Sequence, residues 1–184
     1  MDEKIKDYFN DLESDDREKQ YEAYKNILAA AEKEVDWAYE VWDQLVEDLT
    51  HMDNHRRSRA AQFLSYLAVS DPEKRVLHDF PAIWGVTKDK KFVTARHSLQ
   101  AVWRIGLAGE QQKELVVDHL VNRYRECEGE KNYTLIRFDI TQGLRHLFDA
   151  LHDEAIKITA LELIAEETDD KYRKKYAALW KNTH

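Results

Sequence analysis

The sequence predicts an all-α fold built from stacked helix pairs, and three observations carry that prediction. The 184 residues contain only five glycines and two prolines, too few turns for a sandwich or a barrel. Apolar side chains recur at intervals of three and four along most of the chain, and no segment alternates with a strand period. Features also echo at close to 40 residues. Arg59, Arg96 and Arg137 lie 37 and 41 apart, and the pairs Arg96/Arg104 and Arg137/Arg145, each eight apart, shift together by 41. The length suits one domain, 1–184, with a continuous core.

Ile5, Tyr8, Phe9 and Leu12 mark a first helix over about 2–13, and Asp15 with Glu18 reads as a capping box for the second, 16–33. Val35, Ala38, Trp42, Leu45 and Leu49 form one stripe over 35–50, with Asp36, Glu40, Asp43 and Glu47 on the opposite, solvated side. Asp53 caps the next helix, 54–69, which packs through Ala60, Phe63, Leu64 and Leu67. Asp71-Pro72 signals a restart over 72–87, an N-cap residue followed by proline at the first helical position. Pro81 is expected to kink or reset that helix before Ile83, Trp84 and Val86. Leu99, Val102, Trp103 and Ile105 are the packing residues of 90–106. Gly109 separates that segment from 110–127, with Leu115, Val116, Leu120, Val121 and Tyr124, which Gly129 ends. Ile136, Ile140, Leu144, Leu147 and Leu151 mark a helix placed at about 131–148, and two more fill 152–167 and 170–182.

Within this pattern, Ile83-Trp84-Gly85-Val86-Thr87-Lys88-Asp89, followed by Val93, Arg96, Leu99, Ala101 and Ile105-Gly106, resembles the HEAT-repeat family. In that family a helix ends, a turn Asp follows, and an Arg begins a second helix rich in small and apolar residues. The likeness covers about 50–150, more loosely at 53–68 and 132–147, and extends beyond by periodicity. The resemblance implies a right-handed α-solenoid of about five helix pairs, an interaction scaffold with its second helices on the concave face. It also implies a hydrogen-bonded ladder of turn Asp and Arg side chains.

Charge is segregated between the two helix classes. The second helices 54–69, 90–106 and 131–148 carry ten basic residues against one acid, Asp139. The first helices 35–50, 72–87, 110–127 and 152–167 carry six basic and sixteen acidic residues, within a chain of net charge −8. Arg56, Arg57, Arg59, Arg96, Arg104, Arg137 and Arg145 are therefore the candidate partner-binding residues of a basic groove. The expected partner is an acidic protein or peptide surface, with nucleic acid as the alternative. Arg59, Arg96 and Arg137 are equally placed to pair with turn aspartates. Arg56, Arg57, Arg104 and Arg145 are not needed for the ladder.

No Gly-rich phosphate loop, GxSxG or HExxH occurs, and no cofactor is implied. His51, Asp53 and His55 have metal-like spacing, but the same positions read as a helix end and the next helix's cap, and no fourth ligand type lies near. His146, Asp149, His152 and Asp153 straddle a helix boundary in the same way. Trp37, Trp42, Trp84, Trp103 and Trp180 fall at core positions. The lone Cys127 excludes an internal disulfide framework and, with no leader-like start and no apolar run of about 18 residues, predicts a cytoplasmic location and no membrane partner.

The layout is also similar to that of the DNA-alkylation-repair glycosylases, and Asp89–Ile105 resembles the segment bearing their functional arginine, which would correspond to Arg96. Their Trp-containing motif with a catalytic Asp has no counterpart here, because that region reads Arg59-Ala60-Ala61-Gln62-Phe63-Leu64. Gly143 and Leu144 stand where a further tryptophan is placed, and Trp42-Asp43 lies too early. The protein is therefore expected to release no alkylated base from DNA. Base release that Arg96→Ala abolishes would overturn this expectation.

Overall fold

The computed structural model describes residues 1–183, and among them ten α-helices follow one another through short turns without a strand. The fold is thus all-α. None of these helices is long and apolar enough to cross a membrane. The chain forms two compact units, Met1–Ser98 and Leu99–His184, with the division falling inside the sixth helix.

The first unit contains α1 (Glu3–Asp11), α2 (Arg17–Ala31), α3 (Ala38–Asp48), α4 (Asn54–Leu67), α5 (Arg75–Val86) and most of α6 (Phe92–Ala101). Its centre is α4, which packs against α2, α3 and α5. The composition of α4 is polar, yet Ser58, Gln62 and Ser65 are buried beside Ala60, Ala61, Phe63 and Leu64. The helix itself absorbs that polarity. Gln62 Nε2 donates to the Ser58 carbonyl at 3.2 Å, and Ser65 Oγ donates to the Ala61 carbonyl at 2.8 Å. Small side chains then let Trp42, Phe80 and Ile27 close over it, and all three are fully buried.

The second unit runs through a 3₁₀ turn (Val102–Leu107) into α7 (Glu110–Glu126), α8 (Tyr133–Leu151), α9 (Glu154–Glu166) and α10 (Asp170–Ala178). Here α8 is central and packs against that turn, α7, α9 and α10. The predicted helix 90–106 ends as α-helix at Ala101 and tightens into the 3₁₀ turn. Gly106 lies against Leu147 at the end of this turn, so close that an added Cβ would come within 2.8 Å of Leu147 Cδ2. A larger residue at 106 would require the Leu147 side chain to shift.

Helix starts repeat a single device. Asp16, Asp53, Asp89 and Asp169 each accept the backbone N–H two residues ahead, and Asn132 stands at the start of α8. Successive members of this series lie 36 to 43 residues apart, whereas Asp153, which accepts the Ala155 N–H at the start of α9 in the same way, falls outside it. Four residues after three of the aspartates, a long donor side chain reaches back six residues to the end of the preceding helix. Gln20 donates to the Ser14 carbonyl, Arg57 to the His51 carbonyl at 2.8 Å, and Arg173 to the Glu167 carbonyl at 3.0 Å.

Side-chain bonds between successive helix pairs keep a similar spacing. In the first unit they include Tyr24–Gln62, Tyr39–Asp71, Trp42–Asp79, Asn54–Thr94 and Arg57–Asp89. In the second they include Gln100–Asp139, Lys113–Asp153, Arg125–Glu166, Arg137–Glu167, Tyr176–Thr134 and Trp180–Thr141.

Two helix starts and one expected kink also differ from the sequence reading. α3 begins at Ala38 rather than Val35, whose N–H instead donates to Ser70 Oγ at 2.9 Å. α5 begins at Arg75 rather than Pro72. Asp71 caps it from further back, accepting from the Arg75 and Val76 amides at 2.9 and 2.8 Å, with Lys74 in the left-handed region at φ 55°. Pro81 does not divide that helix, which continues from Arg75 to Val86 with the proline on its exposed side.

The buried fork of Arg57 generates a stability prediction. Its Nε and Nη2 bind both Asp89 oxygens at 2.7 and 3.1 Å, while Nη1 also serves the Met52 carbonyl at 3.0 Å. Arg57→Met strands a poorly solvated carboxylate and two carbonyls and is expected to cost about 3 kcal/mol in denaturant unfolding. Arg56→Met, which removes a pair to the exposed Glu13, is expected to cost under about 1 kcal/mol.

Candidate partner-binding surface

In the second unit, the partly exposed stripe of α8 carries Phe138, Gln142, Arg145, His146 and Asp149 at helical spacing. On one border, Asp139 accepts from Gln100 Nε2 at 3.2 Å, and the His146 ring lies 5.0 Å from the Trp103 ring at an interplanar angle of 32°. On the other, the Lys175 ammonium stands 5.5 Å from the Phe138 ring centre, and Arg145 reaches the end of α10. The Arg104 guanidinium sits 4.8 Å from the Trp103 ring centre, and Lys171 sits 5.4 Å from that of Tyr172. Cations are thus held over aromatic faces, which orients them.

In the first unit, the Tyr21 and Tyr24 rings stack with centroids 6.1 Å apart, and Lys25 lies 4.8 Å from the Tyr21 ring centre. The Tyr24 hydroxyl donates to Gln62 Oε1 on α4. Burial, reinforced by neighbouring Tyr66 and Tyr21, pushes the Tyr24 phenol above its ordinary range, so it remains a neutral donor. Tyr21 is 57% exposed, an unusual degree for a ring held in a stack.

The seven nominated arginines divide by role. Arg57, which the sequence reading did not need for the Asp–Arg ladder, is buried in a fork to Asp89. Arg137 is also buried: its Nε serves the Tyr124 carbonyl at 2.9 Å and its Nη1 binds Glu167 at 3.2 Å. Arg145 binds Asp149 at 2.8 Å and donates to the carbonyls of Leu179 and Lys181, just beyond α10. Arg56 binds Glu13 and lies 4.0 Å from Asp48. Arg59 and Arg96 are partly buried on α4 and α6. Arg104 and Arg145 come together beside His146, and Arg56 and Arg59 beside Glu13 and Asp48.

Sequence reasoning missed the aromatic half of these surfaces. Trp37, Trp42 and Trp180 are core residues, whereas Trp84 and Trp103 are partly exposed, as are Tyr21 and Tyr24 in the first unit and Phe138, His146 and Tyr172 in the second. The signal was present in α2, where Tyr21 and Tyr24 fall outside the buried Ala23, Ile27, Ala31 stripe. His51 and His55 serve the Asp53 cap: the His51 ring accepts the Asp53 N–H at 3.0 Å, and the His55 ring lies 3.1 Å from the Asp53 carboxylate. Among the described residues no group of three His, Cys, Asp or Glu is disposed to hold a metal. Cys127 is buried, and burial pushes its thiol up despite nearby Arg137 and Arg123.

His146 makes this surface sensitive to pH. Partial burial pulls its pKa below 6.5; Asp149 opposes that shift, and Arg104 and Arg145 add to it. Protonation therefore favours the unfolded chain, so this contribution is complete above pH 6.5 and is lost as pH falls from 6.5 toward the lowered value. An NMR titration should place the His146 midpoint below 6.5, and His146→Gln should flatten the loss of stability across that window.

No protein-family model matches the chain, and no curated protein matches it. Among solved structures it is similar to the crystal structure of an engineered protein from the Northeast Structural Genomics Consortium, at 17% identity and a TM-score of 0.53. The match covers 97% of this chain and 78% of that one. At that identity the likeness concerns the helical fold alone.

Proposed function

We propose that the protein is a non-enzymatic, HEAT-like α-solenoid scaffold whose second helices hold an acidic segment of another protein. The repeat reading is supported by helix-starting Asp or Asn residues at 36-to-43-residue spacing and by cross-pair bonds at comparable separations. The observation that carries the binding reading is the aromatic–cation surface of α8 and its borders, with Arg104 on Trp103, Lys175 on Phe138 and Lys171 on Tyr172. Such surfaces combine large rigid contact area with oriented positive charge, the make-up of protein-binding hot spots.

A protein partner fits better than a phosphate backbone. Of the seven nominated arginines, Arg56, Arg57, Arg137 and Arg145 each form an ion pair with an internal acid. With a net charge of −8, few cations remain for a polymer carrying one charge per about 1.7 Å.

Binding of a labelled Glu-rich peptide, followed by fluorescence anisotropy, tests the proposal. The double substitution Arg104→Glu with Lys175→Glu is expected to weaken binding about tenfold with helicity unchanged, and salt dependence should be shallow. Unchanged affinity in the double variant would overturn the reading. So would tighter, steeply salt-dependent binding of a single-stranded oligonucleotide, which would favour nucleic acid instead.

A further inference from the structure

In the second unit, α7 and α9 lie side by side and are tied at two places: Lys113 Nζ binds Asp153 at 2.7 Å, and Arg125 Nη2 binds Glu166 at 2.7 Å. Beside the first tie the two helices leave a gap, where α9 presents the small side chains of Ala155 and Thr159, and a cleft of about 230 Å³ opens. Val117 of α7 and the buried Ile156 of α9 give this cleft an apolar floor. Ile158, three residues from Ala155 and so its neighbour on the helix surface, is 56% exposed and carries the apolar surface outward.

The rim is acidic. Glu110, Glu114 and Asp118 follow one another at four-residue spacing along α7, so like charges repel within one helix stripe. Lys113 offsets part of that repulsion, but Glu110 at 2.8 Å and Asp153 already neutralise it. Among the described residues, no hydrogen bond, and no ion pair within 4.0 Å, reaches the Glu114 or Asp118 carboxylate. We infer that this cleft docks a basic segment of another protein, which sets an apolar side chain on Val117 and Ile156 and a Lys or Arg side chain against Glu114 and Asp118. Charge and size select that occupant. Four carboxylates against one ammonium line the cleft and repel phosphates, so neither nucleic acid nor an anionic lipid surface fits. The volume lies below the roughly 300 Å³ at which small-molecule pockets begin, and it suits one or two side chains. The cleft shares no residue with the α8 surface proposed above and takes the opposite charge.

The test uses the full chain and three labelled decapeptides in a Gly/Ser background, bearing Lys-Leu-Lys, Gln-Leu-Gln or Lys-Gly-Lys. The wild type is expected to bind Lys-Leu-Lys about tenfold more tightly than either of the others. Glu114→Gln with Asp118→Asn is expected to erase the margin over Gln-Leu-Gln, while the thermal midpoint stays level or rises because like charges four residues apart are removed. Ala155→Trp, which fills the cleft, is expected to erase the margin over Lys-Gly-Lys. Glu34→Gln with Glu47→Gln removes the same charge from exposed positions of the first unit and is expected to leave binding unchanged. An equal loss of affinity in that control would reduce the effect to net charge and overturn the inference, as would a lowered midpoint in the α7 double variant. Equal binding of all three peptides by the wild type would also overturn it. Displacement of the peptide by spermidine at equal concentration would identify a polyamine site and overturn the assignment to a protein segment.

Discussion

A buried guanidinium joins three pieces of chain at the Arg57 position. Helix ends leave carbonyls without intrahelical partners, and a chain of ten short helices has many such ends to satisfy within its turns. Arg57 meets the carbonyls of His51 and Met52 with one nitrogen and closes a fork on Asp89 with the others. The turn behind it, the helix that carries it and the turn of the following pair are thereby held in one register. Arg137 does equivalent work in the second unit between the Tyr124 carbonyl and Glu167. An apolar residue could fill either volume but could not satisfy those oxygens.

Several acids elsewhere in the chain are structural as much as solvated. Asp79 receives the Trp42 indole N–H at 2.9 Å, Asp153 binds Lys113 at 2.7 Å, and Glu166 forms a fork with Arg125. These acids thus serve as acceptors for donors on other helices. Charge segregation in the sequence reflects this internal pairing, so a tally of bases against acids overstates the positive charge available to a partner.

The proposed recognition surface is a mixture of rings and cations. In the second unit Trp103, His146, Phe138 and Tyr172 lie under or beside Arg104, Arg145, Lys175 and Lys171. In the first, Tyr21, Tyr24 and Lys25 form a smaller cluster of the same kind. Rings restrict the motion of the long side chains above them, so less entropy is lost when a partner binds.

The sequence by itself determined the helical class, the approximate limits of all ten helices and the 40-residue spacing of caps. Each depends on local physics: apolar periodicity, Asp at N-caps, and scarcity of glycine and proline. It could not determine which arginine becomes a latch. Arg56, Arg57 and Arg59 share about one helical turn, and only the rotation of α4 against its neighbours turns Arg57 inward to Asp89. Nor could it separate core rings from surface rings, since Trp42 and Trp103 both occupy periodic positions while one is 1% exposed and the other lies beside His146. Those assignments depend on contacts between residues 30 to 43 positions apart, and tertiary packing alone brings such residues within reach.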